Sequence, residues 1–288
     1  MIFSMTGFAV TSTELDNGSL SLEIRSVNHR YLDLQIRMPD EFRVFEPALR
    51  EAIAAQLTRG KIECRINYTA RANTGSGIHL NQTLLQLLGQ WSDTVRASIP
   101  DAKPLTVHEI LRWNGVLETP ALALDDLQAA LLSTLQKTLS DFAAARGREG
   151  EKLKEYLLQR VAQIEALRVA VMPHIPAAIA LQEEKMRTRL RDALGNEDDD
   201  RVRQEITLYA TKIDVEEELS RLHSHLVEMQ RILGKGGAVG KRLDFLMQEL
   251  NREANTLGSK SVDAEVSRTS MEMKILIEQM REQIQNLE

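Results

Sequence analysis

Two neighbouring stretches near the carboxyl end carry the same apolar repeat, and they restrict the fold more than any other feature of the chain. Between Gln204 and Leu233, the residues Val215, Leu219, Leu222, Leu226, Met229 and Leu233 recur at three- and four-residue spacing. Between Gly240 and Ser261, Leu243, Leu246, Met247, Leu250, Ala254 and Leu257 do the same. Residues three and four apart share one face of an α-helix, so each stretch predicts a helix with a single apolar face. The connection, Gly234 to Gly240, is short and glycine-rich. Two such helices are expected to pack as an antiparallel hairpin.

Each predicted helix also carries a polar stripe against its apolar seam. On the second it holds Arg242, Glu249, Glu253 and Thr256. On the first it holds Asp214, Glu218, Arg221, His225 and Glu228, with Glu217 beside it. If the stripes face each other, Asp214, Glu217, Glu218 and His225 meet Glu249, Arg252 and Glu253. Carboxylates with one imidazole can hold a hard divalent cation. The same stripes also fit ordinary amphipathic helices with paired surface charges.

These residues carry a family resemblance. IDVEEELSRLHSHL (Ile213 to Leu226) followed by GKRLDFLMQELNREANTLGSKS resembles the C-terminal domain of the bacterial YicC family. SMTGF (Ser4 to Phe8), RSVNHRYLD (Arg25 to Asp33), LTRGKIEC (Leu57 to Cys64) and the terminal ILIEQMREQIQNLE fit as well, while residues 70–200 carry little of it. The resemblance implies an endoribonuclease that cuts single-stranded or structured RNA with help from a divalent metal. It also implies a ring-shaped homo-oligomer, a hexamer in particular.

Composition neither demands nor forbids this. A formal charge of −6 and a pI of about 5.7 do not advertise nucleic-acid binding. Basic residues would have to be gathered locally, and a ring could line its interior with one patch per subunit. The single cysteine, Cys64, excludes an intramolecular disulfide framework. It alternates with Ile62, Ile66 and Tyr68, which reads as a core thiol rather than a nucleophile. No basic-then-apolar leader and no apolar run of membrane length is present, so a cytoplasmic protein that avoids membranes is expected.

The fold class expected is α+β: an N-terminal antiparallel sheet with a helix on one face, then a mainly helical region ending in the hairpin. The expected divisions are residues 1–72, 73–200 and 201–288. Leu20, Leu22 and Ile24, then Leu32, Leu34, Ile36 and Met38, then Ile62, Cys64, Ile66 and Tyr68 alternate with polar residues, as half-buried strands do. A first strand from about Ile2 to Thr13 and a helix from Phe42 to Leu57 complete a β-β-β-α-β order. Beyond the loop at Ala72 to Gly77, helices are expected over Leu84 to Ala97, Val107 to Arg112, and Asp125 to Val171. Gly147 and Gly150 are expected to weaken the last of these. Pro173 and Pro176 break the chain before a helix to about Leu194. Gly195 to Asp200 reads as an acidic loop before the helix at Gln204, and Val262 to Leu287 as the final helix, with Met271, Ile275 and Met280 in core or subunit contacts.

Other motifs fail. GKGGAVGK (Gly234 to Lys241) has Lys235 and Arg242 where a phosphate-binding Walker loop needs Gly and Ser or Thr. His223 and His225 are two apart on a helix and do not share a face, which argues against a paired-histidine zinc site.

The reading that results is an endoribonuclease that cleaves RNA internally, assisted by a divalent cation (Mn²⁺ or Mg²⁺) and acting in RNA turnover. RNA and other RNA-degradation proteins are the expected partners. Asp214, Glu217, Glu218, Glu249 and Glu253 are the candidate metal ligands. Glu217, His225, Glu249 and Glu253 are the candidate catalytic groups, His225 because its ordinary pKa lies near neutrality. Arg221, Arg242, Arg252 and Lys260 are candidates for stabilising phosphate charge. Arg25, Arg30 and Lys61 form a second basic patch on the sheet, with Arg37, Arg65, His29 and Tyr31 nearby, suited to a phosphodiester backbone and stacked bases. The alternative is a non-catalytic oligomeric RNA-binding or adaptor protein, in which the same charges are interhelical ion pairs. A small-molecule enzyme lacks any cofactor motif.

Overall fold

Strand alternation builds the first layer. In the computed structural model, which describes residues 1–16, 18–70, 79–118, 124–194 and 200–288, four strands form one sheet: β1 (Gly7–Leu15), β2 (Gly18–Val27), β3 (Leu32–Arg37) and β4 (Gly60–Ala70). The order is β1-β2-β4-β3. β1–β2 and β2–β4 are antiparallel as expected, but β3 runs parallel to β4, pairing Leu34 with Ile62 and Ile36 with Cys64. The cause is the connection. A 3₁₀ turn (Asp40–Phe45) and helix α1 (Glu46–Ala54) carry the chain back to the end from which β3 started, so β4 enters in the same direction. The helix expected from Phe42 therefore begins later, with Pro47 in its first turn, where a missing N–H costs nothing.

One face of the sheet is closed. Leu20, Leu22 and Ile24 of β2 and Ile62, Cys64 and Ile66 of β4 are buried against Phe42, Phe45, Leu49 and Ile53. Leu131, Leu135, Leu139 and Phe142 close the same core from helix α4 (Leu124–Val171). Burial raises the Cys64 thiol pKa to about 12. The native protein should therefore resist thiol reagents at pH 8 and react only once unfolded, which a colourimetric thiol titration with and without denaturant reads. Rapid labelling of the native chain would contradict this placement. Because the folded pKa is raised, the neutral thiol's stabilising contribution is present below the unfolded value and is lost as pH rises towards 12.

Between β4 and α4, a two-stranded ribbon, β5 (His79–Leu80) with β6 (Leu117–Glu118), encloses α2 (Gln82–Ser98) and α3 (Val107–Arg112). Thr106 and Glu109 form a reciprocal capping box on α3. The expected loop at Ala72 to Gly77 and most of the acidic loop, residues 195–199, lie outside the described residues.

α4 is unbroken over 48 residues, about 72 Å at a rise of about 1.5 Å per residue. The helix runs through Gly147 and Gly150 without the weakening becoming a break, and at Gly150 the missing side chain makes room for the Ile2 backbone. A Cβ on Gly150 would stand 2.1 Å from the Ile2 carbonyl oxygen. The first half of α4 covers the sheet. The second half, through Leu157, Val161 and Ile164, enters a separate helical core. Pro173 marks the break between α4 and α5 (His174–Leu194).

The long helix expected from Gln204 is two helices, α6 (Asp200–Ile213) and α7 (Glu216–Lys235). Ile213 and Val215 are both buried although only two residues apart, a spacing that one straight helix would not place on a single face. The side-chain oxygen of Asp214 accepts from the Glu216 N–H at 2.9 Å, and Glu216, Glu217 and Glu218 sit at the positive end of the α7 dipole. α8 (Gly240–Lys260) and α9 (Ala264–Ile284) complete the second core. On α9, Met280 is buried, while Met271 and Ile275 are exposed. Among the described residues no single helix is long and apolar enough to cross a membrane.

Candidate functional site

α7 and α8 pack by the apolar faces that their spacing marks out. Leu219, Leu222, Leu226, Met229 and Leu233 bury against Leu243, Leu246, Met247, Leu250, Ala254 and Leu257. The reversal between them uses Gly236 and Gly237, whose φ angles of +70° and +91° are open to glycine at little cost.

The antiparallel pairing sets the polar stripes level with one another. Across the seam, Arg242 meets Glu228 at 2.5 Å, Arg221 meets Glu253 at 3.7 Å, and Lys260 meets Glu218 at 2.8 Å. His225 falls between the first two rungs, beside Glu249 and Glu253. One ligand atom from each of His225, Glu249 and Glu253 lies within 4.8 Å of the others. Glu253 is 3% exposed, while His225 and Glu249 are half-buried.

Asp214, Glu217 and Glu218 lie about two to three turns away along the chain from His225 and are engaged elsewhere. Asp214 caps α7, and its carbonyl accepts from Lys260 Nζ at 3.1 Å. Glu217 pairs with Arg221 in the same helix. Glu218, 5% exposed, pairs with Lys260 through Oε1, while among the described residues its buried Oε2 has no hydrogen-bond partner. Glu228 binds Arg231 as well as Arg242. The Arg231 hydrogen bond, with the charges of both guanidinium groups, holds its pKa at about 2. Its ion pairs are therefore present above the ordinary carboxylate range and are lost only as pH falls through about 2.

The cationic candidates divide between two places. Arg221, Arg242, Arg252 and Lys260 belong to the seam, where Arg252, exposed, stands 4.0 Å from Glu249. Arg25, Arg30 and Lys61 belong to the sheet and its connections, and all three are exposed. Arg25 lies opposite Glu63, and the Arg30 guanidinium sits 5.3 Å from the Tyr31 ring centre. Arg37 and Arg65 both reach Glu63 at 3.0 Å, and the Arg65 hydrogen bond, with their charges, lowers the Glu63 pKa. His29 Nδ1 lies 2.9 Å from the Tyr31 carbonyl oxygen, a contact within the connection itself. The sheet and the seam adjoin through the end of the chain. Asn28 donates to the Gln285 carbonyl at 2.7 Å, Arg59 donates to the Leu287 carbonyl at 3.1 Å, and that same carbonyl would lie 3.0 Å from a Cβ on Gly240.

Three features escape sequence reasoning. Arg231 supports Glu228, and its i+3 spacing was the available signal. His223 ties α7 to α4 through Glu165 at 3.1 Å, which its own helix face does not announce. Phe8, exposed on the open sheet face opposite Arg25, follows from the alternation around Ala9.

The donor set suits a divalent cation. One imidazole and two carboxylates converge, and the most buried carboxylate pairs with Arg221 at 3.7 Å. The two carboxylates suit a hard ion such as Mn²⁺ or Mg²⁺, while the imidazole nitrogen favours a transition-metal ion over Mg²⁺.

Comparison with known proteins places this geometry in context. The sequence profile described as "Endoribonuclease YicC-like, N-terminal region" matches residues 2–155, and that described as "Endoribonuclease YicC-like, C-terminal" matches residues 171–288. A "Probable endoribonuclease YicC" of Haemophilus influenzae is 45% identical over 288 residues, covering 100% of both chains. A protein of the same name from Clostridioides difficile is 26% identical over 293 residues, again covering 100% of both. With its sheet inside the first match and its helical hairpin inside the second, the chain belongs to the YicC-like endoribonuclease family.

Proposed function

We propose that the protein cleaves RNA internally at the α7–α8 seam, with a divalent cation held by His225, Glu249 and Glu253. The observation that carries this reading is the convergence of those three side chains, one of them almost fully buried, in a chain whose relatives are named probable endoribonucleases. The cation would neutralise charge on the scissile phosphate. Arg221, half exposed beside Glu253, is placed to face the same charge, and Arg252 stands at the rim beside Glu249. Glu217, exposed one turn before Arg221, orients its guanidinium. The sheet patch of Arg25, Arg30 and Lys61 would hold RNA away from the reacting bond. A homo-oligomer, a cytoplasmic setting and a role in RNA turnover belong to the same reading, and sedimentation of the purified protein reports the subunit number.

The second reading, a non-catalytic RNA-binding or adaptor protein, has one feature in its favour. The interhelical pairs Arg221–Glu253 and Lys260–Glu218 are what a purely structural seam would contain. The two readings part on metal dependence. End-labelled structured RNA incubated with the purified protein and Mn²⁺ or Mg²⁺ should be cut internally, and EDTA should abolish the cuts. RNA binding without cuts under every metal condition would leave the adaptor.

A further inference from the structure

The seam already contains a positive charge where the cation is proposed to bind. Arg221 Nη1 stands 3.7 Å from Glu253 Oε1, and Nη2 of the same guanidinium donates to Glu217 Oε1. These two partners differ sharply. The Glu253 side chain is buried, whereas Glu217 is two-thirds exposed and Arg221 about half exposed. One planar group thus spans from a carboxylate inside the seam to a carboxylate at its rim.

A buried carboxylate is costly to leave without a compensating positive charge. Arg221 supplies that charge from α7. A divalent ion at His225, Glu249 and Glu253 would supply more of it, directly to the same oxygens. The two cations then repel at a separation of a few ångströms in a partly desolvated site. Arg221 is the one that can leave, because Glu217 and solvent remain available to it. Glu253 has no comparable exit.

We infer that Arg221 is the resident counter-cation of Glu253, and that binding of a divalent ion displaces its guanidinium to the rim, where it donates to an RNA phosphate. This rests on the reading of His225, Glu249 and Glu253 as a cation site. The displaced fork keeps its geometry for two phosphate oxygens, which a lysine would meet only as a point charge. Ion binding and RNA binding are then coupled through one side chain: each strengthens the other by the same factor.

The test is Mn²⁺ binding to the full-length protein, read from the electron paramagnetic resonance of free Mn²⁺, without RNA and with a non-cleavable 2′-O-methyl RNA. Arg221→Gln should bind Mn²⁺ about tenfold more tightly than wild type without RNA, because the competing charge is gone. The factor by which Mn²⁺ tightens RNA binding should fall about fivefold in the same variant. Arg221→Lys, which keeps the charge but not the fork, should return Mn²⁺ affinity towards wild type while restoring only part of the coupling. Equal or weaker Mn²⁺ binding by Arg221→Gln, with wild type binding normally, would overturn the inference and leave the cation site intact. No Mn²⁺ binding by wild type or variant would overturn both.

Discussion

Glu253→Gln should lower single-turnover RNA cleavage by at least about a hundredfold while leaving the fold intact. Glutamine keeps the shape of the buried side chain but removes the charge that would hold the proposed cation. Arg221 loses one partner and keeps Glu217, so little is left uncompensated inside the seam. Thermal unfolding should therefore move by only a few degrees. Glu218→Gln is the matched contrast. It lies on the same seam, is as deeply buried, and also pairs with a cation, Lys260 at 2.8 Å, but lies outside the convergent group. That variant should lose stability and keep most of its cleavage. The readouts are product formation at saturating Mn²⁺ and a thermal melt of each variant. Equal cleavage by wild type and Glu253→Gln would remove the seam from the chemistry and direct attention to the sheet patch around Arg25 and Lys61.

How much of this was legible in the sequence depended on whether a feature is local. The apolar faces of α7 and α8 were readable because a helix repeats its own pattern every turn. The closed face of the sheet was readable for the same reason at period two. The parallel course of β3 against β4 was not, since alternation states which face is buried and is silent on direction. At the site, the stripes were legible but their level was not. Asp214, Glu217, Glu218, His225, Glu249 and Glu253 all read as one possible cluster. The antiparallel packing selects His225, Glu249 and Glu253, because those are the residues that the turn at Gly236 and Gly237 sets opposite one another. His223 showed the reverse: incidental on its own helix, it gains a partner from α4, whose Glu165 is remote in sequence. The Glu165 pKa is lowered chiefly by its hydrogen bond to Arg168, and His223 adds to the same effect.

Gly150 makes the point about locality testable. By propensity alone, alanine should improve a helix interior by about 1 kcal/mol over glycine. Three helical glycines offer graded surroundings for that gain. A Cβ on Gly89 in α2 meets nothing among the described residues within 4 Å, so Gly89→Ala should stabilise by about 0.5–1 kcal/mol. On Gly147 it would stand 3.4 Å from the Met1 sulfur, the end of a flexible side chain, so Gly147→Ala should be close to neutral. On Gly150 it would stand 2.1 Å from the carbonyl oxygen of Ile2 and 2.8 Å from its carbon. Backbone cannot rotate away as a side chain can, so the first residues would have to leave α4. Those residues are anchored: Ser4 N–H donates to the Arg146 carbonyl at 3.0 Å, Arg146 Nε donates to the Ser4 carbonyl at 2.6 Å, and Ile2 is buried in the helical core. Gly150→Ala should therefore cost about 3 kcal/mol or more, in the range of severe overpacking. Chemical denaturation of the three variants would rank them Gly89→Ala above Gly147→Ala above Gly150→Ala. A Gly150→Ala protein as stable as wild type would mean that the N-terminal segment does not lie on α4, and that the long helix spans two cores without that clasp.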